Sequence, residues 1–364
     1  MRFWTTLMPT LALATSTLTW AAQERAQAGS SQGIVEVSGD HKLMRDGSAW
    51  VPHGVVQIAF VAPPNAQTGV FKAAYEHYTP GDYDTLVGLK IDSVRMQVSQ
   101  PAWDPQNSLY GGNEEFRARV LDAVKAARQR GLTVIVSMQD EEQSGETRPA
   151  LLPNESTRRA WKQIAPHFAT DRGVMYELLN EPQPEATNAN WAAWAKAMNS
   201  TLKTVRDEKA LNVVIADGLL FGERLMGAPA LKDPLSPTLG HDRIVYASHP
   251  YPHDLAGTTE EQWDFRFGDF AKNHPVIVTE WTTSKNFYCQ GDMKDYSQRF
   301  INYIKKKNIG LMAFAWDFSG TEFGSAFQGF PPKPTIFKDK RCGEEGFGPG
   351  AQILNWYNPG RGED

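Results

Sequence analysis

Eight short apolar runs, separated by loops and helical patterns, constrain this chain's fold more than any other feature. They are Gly54–Ile58, Ser93–Gln97, Thr133–Ser137, Met175–Leu179, Asn212–Ala216, Arg243–Ser248, Val276–Thr279 and Gly310–Ala315. Several are continuous stretches of Val and Ile with no polar alternation. That pattern suits parallel strands covered on both faces. Helical spacing recurs between them. Asn113–Arg130 places Phe116, Val120, Leu121 and Val124 on one face and stops at Gly131. Ser156–Phe168, with Ser156 as its cap, Trp191–Glu208 and Asp295–Lys307 read the same way. The segment between the fifth and sixth runs carries only a weak helical pattern. Eight strand–helix units predict an α/β chain folded as a (β/α)8 TIM barrel. The alternative is an open doubly wound sheet. No Gly-x-Gly-x-x-Gly follows the first strand and no phosphate-cradling loop is present, so nucleotide binding has no support. Ahead of the barrel, Ile34–Val37 and Lys42–Met44 read as strands, and the turn Asp46-Gly47 leads into Ser48–Pro52. This predicts a short N-terminal β-hairpin.

The N-terminus has Arg2 and then an apolar stretch from Phe3 to Ala22. This is the pattern of a secretory signal, with cleavage after Ala21, Ala22 or Ala28. The expected organisation is residues 1–28 as signal peptide and 29–364 as one domain, secreted or periplasmic. A membrane anchor is the alternative, but Thr and Ser interrupt the stretch, and no other segment is suited to span a bilayer. A net charge of -5 gives no reason to expect nucleic acid or an anionic membrane as a partner. Aromatic residues are abundant, with 11 Trp, 11 Tyr and 18 Phe. Beyond those needed for the core, such rings offer flat platforms for sugars. Cys289 and Cys342 permit one disulfide in an exported chain; two buried thiols are the alternative. Neither has His or Cys neighbours at metal-ligand spacing, so no zinc site is expected.

In a barrel of this kind, the C-terminal ends of the strands line the site. Reading those ends in order gives Arg95 and Gln97, Gln139 and Asp140, Asn180 and Glu181, His249 and Tyr251, Glu280, then Trp316 and Asp317. Two glutamates stand out, Glu181 in Asn180-Glu181-Pro182 and Glu280 after Val276-Ile277-Val278-Thr279. Paired carboxyl groups across one site are what glycoside cleavage requires, one to give a proton and one to act as nucleophile or base. Taken alone, Glu181 also reads as a helix-start acid before Pro182. His249 alone reads as a structural buried histidine, and Trp316 as barrel-end packing. Their joint position at one end of the barrel favours a site.

Tyr176-Glu177-Leu178-Leu179-Asn180-Glu181-Pro182, Ser248-His249-Pro250-Tyr251, Val278-Thr279-Glu280-Trp281 and Trp316 together resemble glycoside hydrolase family 5, over roughly residues 33–357. The resemblance implies that residues 29–364 form a glycoside hydrolase catalytic domain that needs no cofactor and no metal. It implies Glu181 as acid/base and Glu280 as nucleophile, with configuration retained. Arg95 would hold Glu280 ionised, and Tyr251 would donate to the same carboxylate. Asn180 would bond the sugar 2-hydroxyl, His249 a sugar hydroxyl or its neighbours, and Trp316 would floor the sugar. Many family members carry a histidine after strand three. Here Val136-Ser137-Met138-Gln139-Asp140 has none, which puts the sugar contact there in question.

Two long loops follow strands one and eight. The first carries Phe60, Pro63, Pro64, Phe71, Tyr75 and Tyr78, either as sugar platforms or as rim packing. The second runs from Asp317 to Gly350, before a last helix near Ala351–Tyr357. A Cys289–Cys342 disulfide would tie loops after strands seven and eight together. The substrate expected from the resemblance is a β-linked polysaccharide, cut by an endo-β-1,4-glucanase of the cellulase type acting as a monomer. A β-mannanase or exopolysaccharide-specific glycanase is the alternative within the fold. A catalytically idle sugar-binding barrel and a metal-using barrel enzyme are the alternatives outside it.

Overall fold

A computed structural model describes residues 32–141, 149–252, 257–283, 293–318 and 349–360. The expected signal peptide, Cys289, Cys342 and most of the Asp317–Gly350 loop lie outside these residues. Among the described residues, no helix is long and apolar enough to cross a membrane.

The N-terminal hairpin gains a third strand. β1 (Val35–Val37), β2 (Leu43–Arg45) and β3 (Ser48–Ala49) form an antiparallel sheet in the order β1-β2-β3. Asp46 and Gly47 make the turn with positive φ, and the Asp46 carboxylate accepts from the Gly33 and Ile34 N–H groups at 2.9 Å each. Eight parallel strands then close into a barrel. They are β4 (His53–Gln57), β5 (Ser93–Ser99), β6 (Thr133–Gln139), β7 (Val174–Glu177), β8 (Val214–Asp217), β9 (Ile244–Ser248), β10 (Val276–Trp281) and β11 (Gly310–Ala313), with β11 pairing back onto β4. Each matches one of the eight apolar runs. Almost every strand residue is buried, as the lack of alternation predicts.

The small sheet covers the N-terminal end of the barrel. Its Val35, Val37 and Leu43 are buried. Val35 N–H bonds Arg172 O before β7, Arg45 bonds Gly131 O before β6, and Glu36 pairs with Arg172 and Arg243. Asp92, just before β5, accepts from Trp50 Nε1 at 2.8 Å and from His53 N–H at 2.9 Å.

The helices bury their apolar faces on the outside of the barrel, and tryptophans fasten two of them to the strand ends that carry the site. Trp161, in the helix Glu155–Phe168, donates Nε1–H to Leu178 O at 2.9 Å. Trp194, in Asn188–Asp207, donates to Asp217 O at 2.8 Å. The last helix, Pro349–Tyr357, sends Tyr357 OH to Leu311 O at 2.8 Å and to Gly54 O at 3.1 Å, across the seam where β11 meets β4. One helix boundary differs from expectation. The cap of Glu155–Phe168 is Asn154, not Ser156, because Asn154 and Thr157 satisfy each other reciprocally. Between β8 and β9 only the four residues Ser236–Leu239 are α-helical, as the weak pattern there suggested. The loop after β4 contains an unexpected helix, Gly69–His77. It buries Tyr75, while Tyr78 packs edge-on to Phe60 at 5.0 Å. Phe71 alone of these aromatics lines the catalytic-end cleft.

Candidate active site

At the C-terminal end of the barrel a cleft of about 460 Å³ is lined by Gln97, Gln139, Asn180, Glu181, Tyr251 and Glu280, among others. Beneath it lies Arg95, fully buried on β5. Its guanidinium forks onto Glu177 of β7, with Nε to Oε2 at 2.6 Å and Nη2 to Oε1 at 3.1 Å. Nη1 reaches Glu280 Oε2 at 2.8 Å, and Nη2 also donates to Ser137 Oγ and Asn180 Oδ1. Burial alone would depress Arg95, but the charges of Glu177 and Glu280 reverse this and hold the guanidinium above its ordinary value. Glu177 is drawn down to about 2, because the Arg95 charge and the paired bonds outweigh its burial. One buried cation is thus shared by two carboxylates, which is what makes burying any of them tolerable.

Glu280 is held through both oxygens. Oε2 accepts from Arg95 and from Gln97 Nε2 at 3.0 Å, and Oε1 accepts from Tyr251 OH at 2.7 Å. An oxygen of Glu181 lies within 4.8 Å of an oxygen of Glu280. Glu181 keeps 19 % of its side chain exposed to the cleft. Burial first, and then the charge of Glu280, raise its carboxyl well above the usual range, so it keeps its proton. Its backbone is left-handed, φ +50, an uncommon conformation for a residue with a side chain. Its N–H is pinned to Asp217 Oδ2, at the end of β8, at 3.0 Å. Burial and the charge of Glu177 keep Asp217 protonated as well.

His249 is wholly buried. Thr279 gives its one hydroxyl hydrogen to Glu177 Oε1 at 3.0 Å. Its oxygen is then left to accept His249 Nε2–H at 2.8 Å. Nδ1 faces Glu181 Oε1 at 3.0 Å with a lone pair. Burial lowers His249 to about 4, so the proton this pair shares sits on Glu181.

The structure thus brings Arg95, Asn180, Glu181, His249, Tyr251 and Glu280 into one network. Trp316 follows β11 with 2 % of its surface exposed, its N–H on Val56 O. The rings lining the cleft there are Phe314 and Phe318. Asp317 is a structural anchor, accepting from Ile58 and Ala59 N–H at 2.8 and 2.9 Å. The strand-end reading missed Glu177, Ser137, Asp217 and Thr279 in the network and Glu141, Phe221 and Glu223 in the cleft wall. Among the described residues, two overlapping sets of donor atoms are close enough to hold a cation, Glu177–Asp217–His249 and Glu181–His249–Glu280.

Comparison with known proteins agrees with this geometry. Residues 66–320 match the cellulase family, glycosyl hydrolase family 5. A cellulase, CelDZ1, from a Thermoanaerobacterium species is 24% identical over 213 residues, covering 55% of this chain and 52% of its own length. Endoglucanase 3 of Fibrobacter succinogenes is 25% identical over 217 residues, covering 51% of this chain and 31% of its own. The chain therefore spans about half or less of the curated relatives it matches. Among solved structures, a β-glucanase from Saccharophagus degradans in complex with cellotetraose superimposes with a TM-score of 0.66 at 19% identity, covering 91% of this chain and 94% of that one. The matched residues make up more than half of the chain, and it belongs to glycosyl hydrolase family 5.

Proposed function

We propose that this chain is an exported, retaining endo-β-1,4-glucanase that cleaves a soluble or envelope β-glucan as a single catalytic domain acting as a monomer. The observation that carries this reading is the approach of Glu181 to Glu280 within 4.8 Å. Retaining glycosidases hold their carboxyl groups about 5–5.5 Å apart, whereas inverting enzymes need about 6.5–9.5 Å to admit a water between them. The cellulase and endoglucanase relatives, and the cellotetraose-bound neighbour, support a β-glucan as substrate.

The residues divide the work by environment. Glu181, protonated against His249, gives its proton to the glycosidic oxygen as the C–O bond breaks. Glu280 attacks the anomeric carbon. Its Oε2 is occupied by Arg95 and Gln97, whereas Oε1 accepts only the Tyr251 hydroxyl among the described contacts. Oε1 therefore carries the attacking lone pair. Water then displaces Glu280 from the sugar, with Glu181, now ionised, taking up its proton. Asn180 is assigned to the 2-hydroxyl of the ring at the point of cleavage and Trp316 to the floor beneath it, although the rings lining the cleft there are Phe314 and Phe318 and Trp316 is buried.

A panel of β-glucans, mannan and bacterial exopolysaccharides, with products separated by chromatography, tests the reading. Internal cuts in a soluble β-1,4-glucan, abolished in E280A, are expected. Cleavage confined to mannan would overturn the substrate, and no cleavage of any glycan would leave an idle barrel.

A further inference from the structure

A cavity of about 500 Å³ lies at the end of the barrel away from the cleft, between the small N-terminal sheet and the segments that lead into β10 and β11. Small-molecule sites usually occupy ~300–1,000 Å³. The walls of this cavity are fixed by contacts of their own. The β1–β2 turn presents His41, with φ +61 and its N–H on Ser38 O at 2.9 Å. Asp40 braces that turn by accepting from Ser38 Oγ and pairing with Lys42. On the barrel side, Asn308 takes φ +55 with its N–H on Lys305 O at 3.1 Å. His274 stacks on Phe270 at 4.4 Å and stands 6.1 Å from His41, ring to ring. Trp50 adds a half-buried indole, capped by Arg45 at 5.5 Å. The indole N–H is already given to Asp92 at 2.8 Å, so what Trp50 brings to the cavity is ring surface.

The lining discriminates between classes of ligand. Three lysines border the cavity, and each has an aspartate of its own: Lys42 has Asp40 at 2.6 Å, Lys272 has Asp269 at 2.6 Å and Lys307 has Asp264 at 2.5 Å. These cations are already balanced, which argues against an anionic ligand. Burial, and then the neighbouring His41, lower His274 below its ordinary value. Its ring is therefore an uncharged hydrogen-bonding group at neutral pH. The side chains of His41, His274 and Asn308 have no hydrogen-bond partner among the described residues. A purely apolar guest would strip water from these groups and leave them unmet. A molecule with C–H faces and a rim of hydroxyl groups satisfies both the indole and the polar side chains.

We propose that this cavity is a second sugar-binding site, which holds a short stretch of neutral β-glucan against Trp50 while His41, His274 and Asn308 exchange hydrogen bonds with its hydroxyl groups. The choice of glucan rests on the function proposed above; the site itself rests on its walls. Because the cleft is at the other end of the barrel, a chain held here does not obstruct the cut. It keeps the enzyme on its polymer and raises the local concentration of cleavable chain.

The test is hydrogen-exchange mass spectrometry of E280A with and without cellotetraose, together with calorimetric titration. Protection is expected in peptides of the cleft and, separately, in peptides covering residues 38–52 and 271–276. H41G suits the left-handed turn and removes one ring. It is expected to weaken the second site by roughly two- to tenfold, as for the loss of one hydrogen bond, and to leave the cleft unchanged. A49R, at an exposed position on the cavity wall, should abolish the second site. In the otherwise wild-type enzyme, A49R should raise KM a few-fold on a polymeric glucan and leave an aryl β-cellobioside unaffected. Protection confined to the cleft overturns the proposal, as does a second site that neither H41G nor A49R weakens. A cavity that takes inorganic phosphate and not cellotetraose overturns the ligand class. Cellotetraose bound in the cavity of a wild-type enzyme that cuts no glycan would leave this site standing and overturn the glycosidase reading alone.

Discussion

The two ends of the barrel are built from the same eight strands and solve opposite problems. At the N-terminal end, polar groups are spent on closing the structure. Asp92 holds Trp50 and His53, Asp46 holds its own turn, and Glu36 pairs with two arginines. At the C-terminal end, the polar groups are crowded, protonated against their usual tendency, or left open. Glu181, Leu220 and Phe221 take φ of +50, +58 and +56. Gly222 follows with φ +77 and packs so closely on His249 that an added Cβ would lie 3.0 Å from the ring. Phe221 stands 49% exposed in the cleft wall. The contrast teaches that stability and chemistry are segregated along the strand axis.

Substitutions at the two ends should therefore separate activity from stability. The largest effect is expected from E280A, with a loss of activity of about 10³-fold or more and an unchanged melting temperature. Arg95 is the one residue expected to break both properties. R95M leaves Glu177 and Glu280 buried and uncompensated, at a cost of about 3–5 kcal/mol in denaturant unfolding, and abolishes turnover. An unaffected unfolding midpoint would show that the shared cation is not what supports the two carboxylates. At the opposite end, D92A removes three hydrogen bonds, from Trp50, His53 and Ser93, and is expected to cost about 1–3 kcal/mol of stability while kcat stays near wild type. E36A, on a half-exposed ion pair, should cost at most about 1 kcal/mol and leave kinetics untouched.

The pH dependence sharpens the same contrast. In the proposed mechanism Glu181 works protonated, and its carboxyl is raised, so the alkaline limb of kcat/KM is expected above the ordinary carboxylate range. Activity falls as pH rises through that value. With an aryl leaving group that needs no acid, E181Q should lose this limb in a pH–rate profile. Stability carries a matching signature. Asp317 is raised by burial to about 7, against about 3.9 in an unfolded chain. Its contribution is complete below the unfolded value and is lost as pH rises through the folded one. Melting temperature is expected to decline over that window, with a shallower slope in D317N.

The fold was legible because buried parallel strands leave an unmistakable record of continuous Val- and Ile-rich runs. The glutamates proposed as catalytic, Glu181 and Glu280, were legible because they close two of those runs. Other parts were hidden for physical reasons. Glu177 lies inside an apolar run and reads as a strand residue, and only its pairing with Arg95 gives it meaning. Asp217 sits one residue past the apolar run Asn212–Ala216, where a turn acid is ordinary. Glu141 belongs to the polar string Asp140-Glu141-Glu142-Gln143, which resembles a solvated loop, yet it folds back onto Asn180. The burial of His249 between Glu181 and Thr279 depends on strands far apart in sequence. The absent histidine after strand three was visible, but its replacement by a glutamine braced on a glutamate emerges only in three dimensions.

The central claim is that Glu280 forms a covalent bond to the sugar while Glu181 supplies the proton. Incubation with an activated 2-deoxy-2-fluoro β-cellobioside, followed by intact mass and peptide mapping, tests it most directly. The expected result is one glycosyl adduct per chain, located on Glu280, with turnover lost in proportion to labelling. Turnover of the natural glucan with inverted anomeric configuration and no adduct, or an adduct on any other residue, would contradict it.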